Sequence, residues 1–265
     1  MKGFLLSFQS EFYKTRKTLG FWSVIILPLL MSLLAFTIFY TKSEKFSNMP
    51  PMMLWMQFAM ISLAAMGTLL LPMLSIFVAY SVNNIEHRSD TWKTLFSLPL
   101  SRWAVYSAKY FYAVFLMFLC LGLFALFTIV FGNLLGVLKP ELKFNGYHLE
   151  LQLSQVYFKL FLASLGILSI QFLLSLLWAD FLKPMGLGFV ATLVGITAAS
   201  KNWEYSYAFP YAHPMVALSG MLKHNNGPVK ELQIDMFTKD VFVSLGVAAV
   251  VFIIGYFIVQ KKSVK

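Results

Sequence analysis

No residue from 21 to 40 is charged. A run of roughly 20 apolar residues is what an α-helix needs to cross a hydrocarbon core ~30 Å thick. Five runs of like character follow, at 54–82, 103–131, 156–179, 185–200 and 241–259, separated by polar segments. Composition agrees: 59% of the chain is hydrophobic and 12% charged, where an ordinary soluble domain carries about 25% charged residues. The chain reads as an all-α integral membrane protein with six transmembrane helices. Its function must be sought between the spans.

The runs differ in character. In the second, Pro72 lacks a backbone N–H and predicts a bend. In the fourth, Lys159 lies near one end, where its stem can snorkel to the interface. The fifth is short, but Gly186, Gly188, Ala191, Gly195, Ala198 and Ala199 suit close helix packing in lipid. Charge placement favours counting it. With six spans, Lys2, Lys14, Arg16, Lys17, Arg88, Lys93, Arg102, Lys109, Lys183, Lys261, Lys262 and Lys265 share one side. The opposite short loops hold only Lys42, Lys45, Lys139 and Lys143. The positive-inside rule then places both termini in the cytoplasm. No small-x-small cleavage site follows the first apolar run, so it is expected to be a retained span.

Three segments between the spans carry information. In residues 1–20, Phe4, Leu5, Phe8 and Phe12 share a helical face, and Lys14, Arg16 and Lys17 follow. That spacing predicts an interfacial helix lying on the inner leaflet. Residues 83–102 form the inner loop of greatest length. Here Glu86, His87, Arg88, Asp90 and Lys93 stand beside Trp92, Leu95 and Phe96, the mixture expected of a short helix docking into a partner's groove. Pro99 ends it, and Ser101 is placed to cap the third span. On the outer side, residues 201–240 begin with the aromatic-belt sequence Trp203, Tyr205, Tyr207, Phe209, Tyr211. Pro210 and Pro214 follow, which suits a pair of short re-entrant helices.

Several chemistries are excluded or unsupported. The net charge of +10 is explained by cytoplasmic flanks meeting anionic lipid, without nucleic acid. No phosphate loop for ATP occurs. His87, His148, His213 and His224 are scattered without metal-ligand spacing, and the lone Cys120 lies in an apolar run. Ser219 lacks the glycine framing of a nucleophile beside His213. The span interiors read as nearly free of ionisable groups, which disfavours an ion-driven transporter; an ion channel lacks its filter segment. Gln171, Ser169, Thr192 and Thr197 are candidates to line a polar path, with helix–helix hydrogen bonding as the competing role. Any energy for transport must therefore come from a partner. A non-transporting membrane anchor or assembly protein for a cytoplasmic partner would also use a docking loop, and remains the alternative.

The order of features resembles the permease subunits of type 2 (ABC-2) ABC exporters, near the bacterial lantibiotic-immunity and bacitracin-resistance permeases. The likeness is carried by Ser10-Glu11-Phe12-Tyr13-Lys14 through Phe21-Trp22, by Glu86-His87-Arg88-Ser89-Asp90-Thr91-Trp92-Lys93-Thr94-Leu95, and by Ser97-Leu98-Pro99-Leu100-Ser101-Arg102 with Lys109 seven residues on. Many members carry a Gly shortly after the acidic residue of the inner loop, where this chain reads His87-Arg88-Ser89-Asp90. The resemblance implies a permease that pairs with a second permease, as homo- or heterodimer, and with two ABC ATPase subunits. It implies a coupling helix in the inner loop and ATP and Mg on the partner ATPase, with no cofactor and no catalysis in this chain. It also implies export of a peptide antibiotic, drug or lipid-like substrate from a bacterial inner membrane.

Overall fold

The computed structural model describes residues 2–89, 100–223 and 234–261. Helix α1 is Lys2–Thr15 and α2 is Leu19–Thr41. A long helix, α3, covers Pro51–Ser89; then come α4 (Arg102–Leu138), α5 (Glu150–Leu177) and α6 (Leu182–Ser200). Two 3-10 turns and α7 (His213–Lys223) follow, and then α8 (Lys239–Lys261). Among the described residues, α2, α3, α4, α5, α6 and α8 are long and apolar enough to cross a membrane. The protein is multi-pass.

The ends of these helices obey local chemistry. The hydroxyl of Thr18 accepts from the Phe21 amide at 3.3 Å and starts α2. Ser101, the expected cap, accepts from the Ala104 amide at 3.2 Å and starts α4. Each such cap is worth about 1 kcal/mol. Both α3 and α4 run well beyond the apolar stretches that announced them. Hydropathy marks contact with lipid, whereas a helix continues wherever i→i−4 bonds can form, and polar Asn83–Ser89 form them. Residues 83–89, expected in the docking loop, are therefore the last turns of α3.

Within α3 the ladder changes at Met66–Leu70, a π-helical turn. Pro72 follows directly. A proline ring clashes with the carbonyl four residues earlier and offers it no N–H; that carbonyl is Thr68's, inside the turn. The wider π turn relieves the conflict, as inserted π-bulges do. Gly67 lies against α7: a Cβ there would sit 2.8 Å from Leu218 Cδ2.

Helix α5 is the centre of the bundle. Of its most apolar stretch 67% is buried, against 22% for α2, α6 and α8, whose outer faces are left for lipid. Polar bonds lock α5 to its neighbours. Tyr157 pairs with Ser62 of α3 at 2.7 Å and Thr128 of α4 at 3.1 Å. Asn83 donates to Ser175 Oγ at 2.8 Å and Phe172 O at 3.2 Å. Ser244 of α8 donates to Leu162 O at 2.8 Å and accepts from the Gly166 amide at 2.9 Å. Near the start of α3, Trp55 Nε1–H donates to Phe144 O at 2.9 Å. Its ring lies on Gly132, where a Cβ would come within 2.3 Å.

Candidate functional site

Helix α1 has a second stripe beneath its aromatic one. Ser7, Glu11 and Thr15, four residues apart, are buried, while Leu5 and Phe12 are exposed. Residues at i and i+4 share one helical face, so a polar stripe points inward. Phe4 and Phe8 flank it and pack edge-on against Phe111, Tyr112 and Phe115 of α4. Phe12, expected with them, instead meets Tyr13 and Phe21.

The inward stripe meets the last turns of α3 and the first turns of α4. Glu11, Glu86 and Lys109 are all at most 2% exposed, and with Lys14 they form a buried cluster. Lys109 Nζ donates to Glu11 Oε2 at 2.8 Å, to Glu86 Oε2 at 2.5 Å and to the Val82 carbonyl at 3.2 Å. Lys14 Nζ donates to the other oxygen of each acid, at 3.1 Å to Glu11 and 3.0 Å to Glu86. Among the described residues two cations and two anions alternate, so their formal charges cancel and each acid is held by both amines. Thr15 stitches the edge: its hydroxyl pairs with Tyr112 Oη and donates to the Glu11 carbonyl at 2.8 Å. Burial opposes the charge on Lys14, but Glu11 and Glu86 together outweigh it and hold its pKa above the ordinary 10.5.

This cluster corrects two expectations. Glu86, expected on the rim of a docking loop, faces the interior, because an α3 helical through Ser89 turns it towards Lys109. The base of the third span is not free of buried charge, because Lys109 lies inside the protein with partners. The signal was present in the sequence as Glu11, an acid in an otherwise basic segment, but its partners lie 75 and 98 positions away in the chain.

The remaining expected site residues are dispersed. His87 Nε2 is 3.0 Å from the Ser175 carbonyl, so this ring also turns to α5. Arg88 is exposed beside Lys14 and Lys17, and Arg16 lies over the Tyr13 ring at 5.1 Å. Asp90, Trp92, Lys93, Leu95 and Phe96 lie outside the described residues, as does His224. Arg102 Nη1 donates to the Gln260 carbonyl at 2.8 Å, a cation at the C-terminus of α8, where the helix dipole favours it.

The candidate path residues do not come together on an open surface. Gln171 Nε2 donates to Tyr211 Oη at 2.6 Å and Ser169 pairs with Tyr110 Oη at 2.7 Å. Thr192 is buried and bonds back to the Gly188 carbonyl; Thr197 is exposed and bonds back to Val194. In a dry bundle a polar side chain is stabilised by a neighbouring helix or its own backbone, and these four are so occupied. Lys159, expected to snorkel, is 2% exposed, within electrostatic reach of Asp240 and Asp235. His213 is fully buried. Its Nε2–H donates to the Tyr207 carbonyl at 2.8 Å, and burial lowers its pKa against the opposing pull of that carbonyl and Asp240. Ser219 bonds within its own turn, so the two form no catalytic pair. No group of three metal-ligating side chains occurs among the described residues.

Comparison with known families adds one finding. The family model described as "ABC-2 family transporter protein" matches residues 7–195, a stretch that contains all four members of the buried cluster. No curated protein and no solved structure matches the chain.

Proposed function

Since the chain belongs to the ABC-2 transporter family, and is thus a membrane permease of an ABC transporter that works with an ABC ATPase, we propose that it serves an ATP-driven exporter. Two ATPase subunits would supply the energy to a pair of permeases, this chain and a second copy or a different partner. Both termini lie in the cytoplasm on this reading, because the basic residues gather at the end of the bundle that holds α1. Helix α1 rests in the inner leaflet with Leu5 and Phe12 towards lipid. The 3-10 turns and α7 form the outer re-entrant segment. The substrate class, a peptide antibiotic, drug or lipid-like molecule, comes from the family resemblance.

The observation that carries the reading is the buried cluster at the root of the inner loop. An ATPase that grips residues 90–99 pulls on the end of α3 and the start of α4. Glu86 and Lys109 bind those two ends together, and Glu11 and Lys14 add α1 to the same body. A ligand shifts a conformational equilibrium only through different affinity for its two states; here the ligand is ATP on the partner. Trp92, Leu95 and Phe96 are proposed to fill the partner's groove, with Asp90 and Lys93 around it.

The test is affinity purification from native membranes with identification of co-purifying proteins. Recovery of a phosphate-loop ATPase, reduced by Trp92→Ala through loss of ~2 kcal/mol at a docking hot spot, supports the proposal. Absence of any ATPase would sink it and favour the anchor reading.

A further inference from the structure

Beside the buried cluster is a cleft of ≈ 580 Å³, bounded by the end of α1, the start of α2 and the last turns of α3. Lys14, Lys17 and Arg88 line it with Tyr80, Asn84 and Phe77. No carboxylate lines it among the described residues, because Glu86 of the same α3 segment is turned inward to Lys14 and Lys109. Asp180 is the acid within electrostatic reach of Tyr80, and it is solvent-exposed. Lys14 is committed to Glu11 and Glu86, whereas Lys17 and Arg88 make no ion pair among the described residues. Among the described residues the cleft therefore carries two positive charges without an ion-pair partner.

Its neutral groups suit an anion as well. Tyr80 Oη donates to Asn84 Oδ1 at 2.7 Å, which fixes the amide and leaves its Nδ2 donors unbonded among the described residues. Leu19 and Gly20 also line the cleft. They open α2, and the first amides of a helix have no intrahelical acceptor. The floor is closed, since Gly20 touches α3 so tightly that a Cβ would clash with Ser81 Oγ. Apolar surface continues from the basic rim: Phe77 and Ile85 form one wall, and Leu19 is 80% exposed at the other.

We propose that this cleft binds the headgroup of an anionic phospholipid, with Lys17 and Arg88 on the phosphodiester and the acyl chains along Leu19 and Phe77. Basic pockets between spans on the cytoplasmic side are suited to such headgroups. A soluble anion would match the charges but leave the apolar walls unused. The proposal takes from the preceding reading only the placement of this end of the bundle in the inner leaflet. Bound lipid would fasten the α1–α2 junction to the last turn before the inner loop, so it would bear on how firmly that loop is held.

The test is native mass spectrometry of the purified full-length chain with phosphatidylglycerol, phosphatidylcholine or inorganic phosphate added separately. The expected result is preferential retention of phosphatidylglycerol, reduced at least tenfold in the Lys17→Gln/Arg88→Gln double variant and unchanged in a Lys183→Gln/Lys261→Gln control. Both altered residues are exposed and make no ion pair among the described residues, so thermal unfolding of the double variant should match the unaltered protein. Equal retention of the two lipids, or equal loss in the control, would overturn the proposal. Binding of inorganic phosphate that displaces the lipid would assign the cleft to soluble anions instead, and overturn it too. The assay needs neither ATPase nor transport, so its failure is distinct from failure of the exporter reading.

Discussion

Replacing Lys109 by Met leaves two buried carboxylates facing one amine. Lys109 lies 2.8 Å from Glu11 and 2.5 Å from Glu86. At those separations, and at an effective dielectric constant of ~20, each attraction is about 6 kcal/mol. Removing the ions from water costs several kcal/mol apiece and offsets most of that gain, so the net loss on deleting one partner is about 3–5 kcal/mol. Met keeps the volume of the Lys stem, which limits any cavity contribution. For a chain of this size that loss lowers the midpoint of thermal unfolding by on the order of 10 °C. Glu86→Gln should cost a similar amount by leaving Lys109 short of an anion. The double variant Glu86→Gln/Lys109→Met removes one charge of each sign and leaves Glu11 with Lys14. Its cost should fall below the sum of the singles by about 2 kcal/mol, the coupling of a contacting pair. The assay is unfolding of the purified protein in detergent for all four proteins of the cycle. Singles that each cost under ~1 kcal/mol and add without coupling would refute the buried-cluster reasoning.

The other predictions draw on separate regions. Raising the pH above about 10.5 should weaken the cluster: the contribution of Lys14 is fully present below its unfolded value and lost as pH rises through its raised folded value, which pH-dependent unfolding would show. His213 has the opposite sign. Its pKa is lowered by burial, so its neutral form favours the fold above about 6.5 and that stability falls as pH drops below 6.5; hydrogen exchange of residues 201–219 at pH 7.5 and 5.5 should reveal the loosening, and His213→Gln should flatten it. Gly195→Ala would set a Cβ 2.5 Å from the Tyr211 carbonyl oxygen, a backbone contact with little room to give, and should cost about 1–3 kcal/mol in thermal unfolding.

Hydropathy made the six spans legible because the bilayer imposes a length and a composition on each. Ser101 was legible because a cap is a rule of four consecutive residues. Where a feature depends on distant partners, the sequence was silent. Glu86 read as a docking-loop charge, Lys109 as one of the basic residues on one side and Glu11 as part of a family motif, since nothing local says that three helices will converge there. Opposite charges that cancel also leave no trace in net charge. The same holds for Gln171, whose polarity suggested a path, although its Nε2 is taken up by Tyr211, 40 positions away. Yet Glu11, Lys14, Glu86 and Lys109 all stand in the short segments that carried the resemblance to ABC-2 permeases. The likeness thus contained the site before its geometry was known.

The cluster also constrains where the permease can bend. If α1 and the inner ends of α3 and α4 are joined by contacts costing about 3–5 kcal/mol to break, they move as one piece when a partner pulls on the loop between them. Flexure must then fall above the cluster, and α3 has a suited place. At Met66–Leu70 the ladder has already left the α-helical pattern, and Pro72 withholds the bond that would stiffen it. That turn packs against α7 through Gly67 and Leu218. A bend there would press on the outer segment, so the π turn is the natural relay between the inner loop and the outer face. Gly67→Val tests the relay because its added methyls would collide with Leu218, which is itself 2.8 Å from where a Cβ would stand. The expected outcome is a folded protein that still recruits its ATPase but has lost ATP-driven transport. Unimpaired transport would place the bend elsewhere.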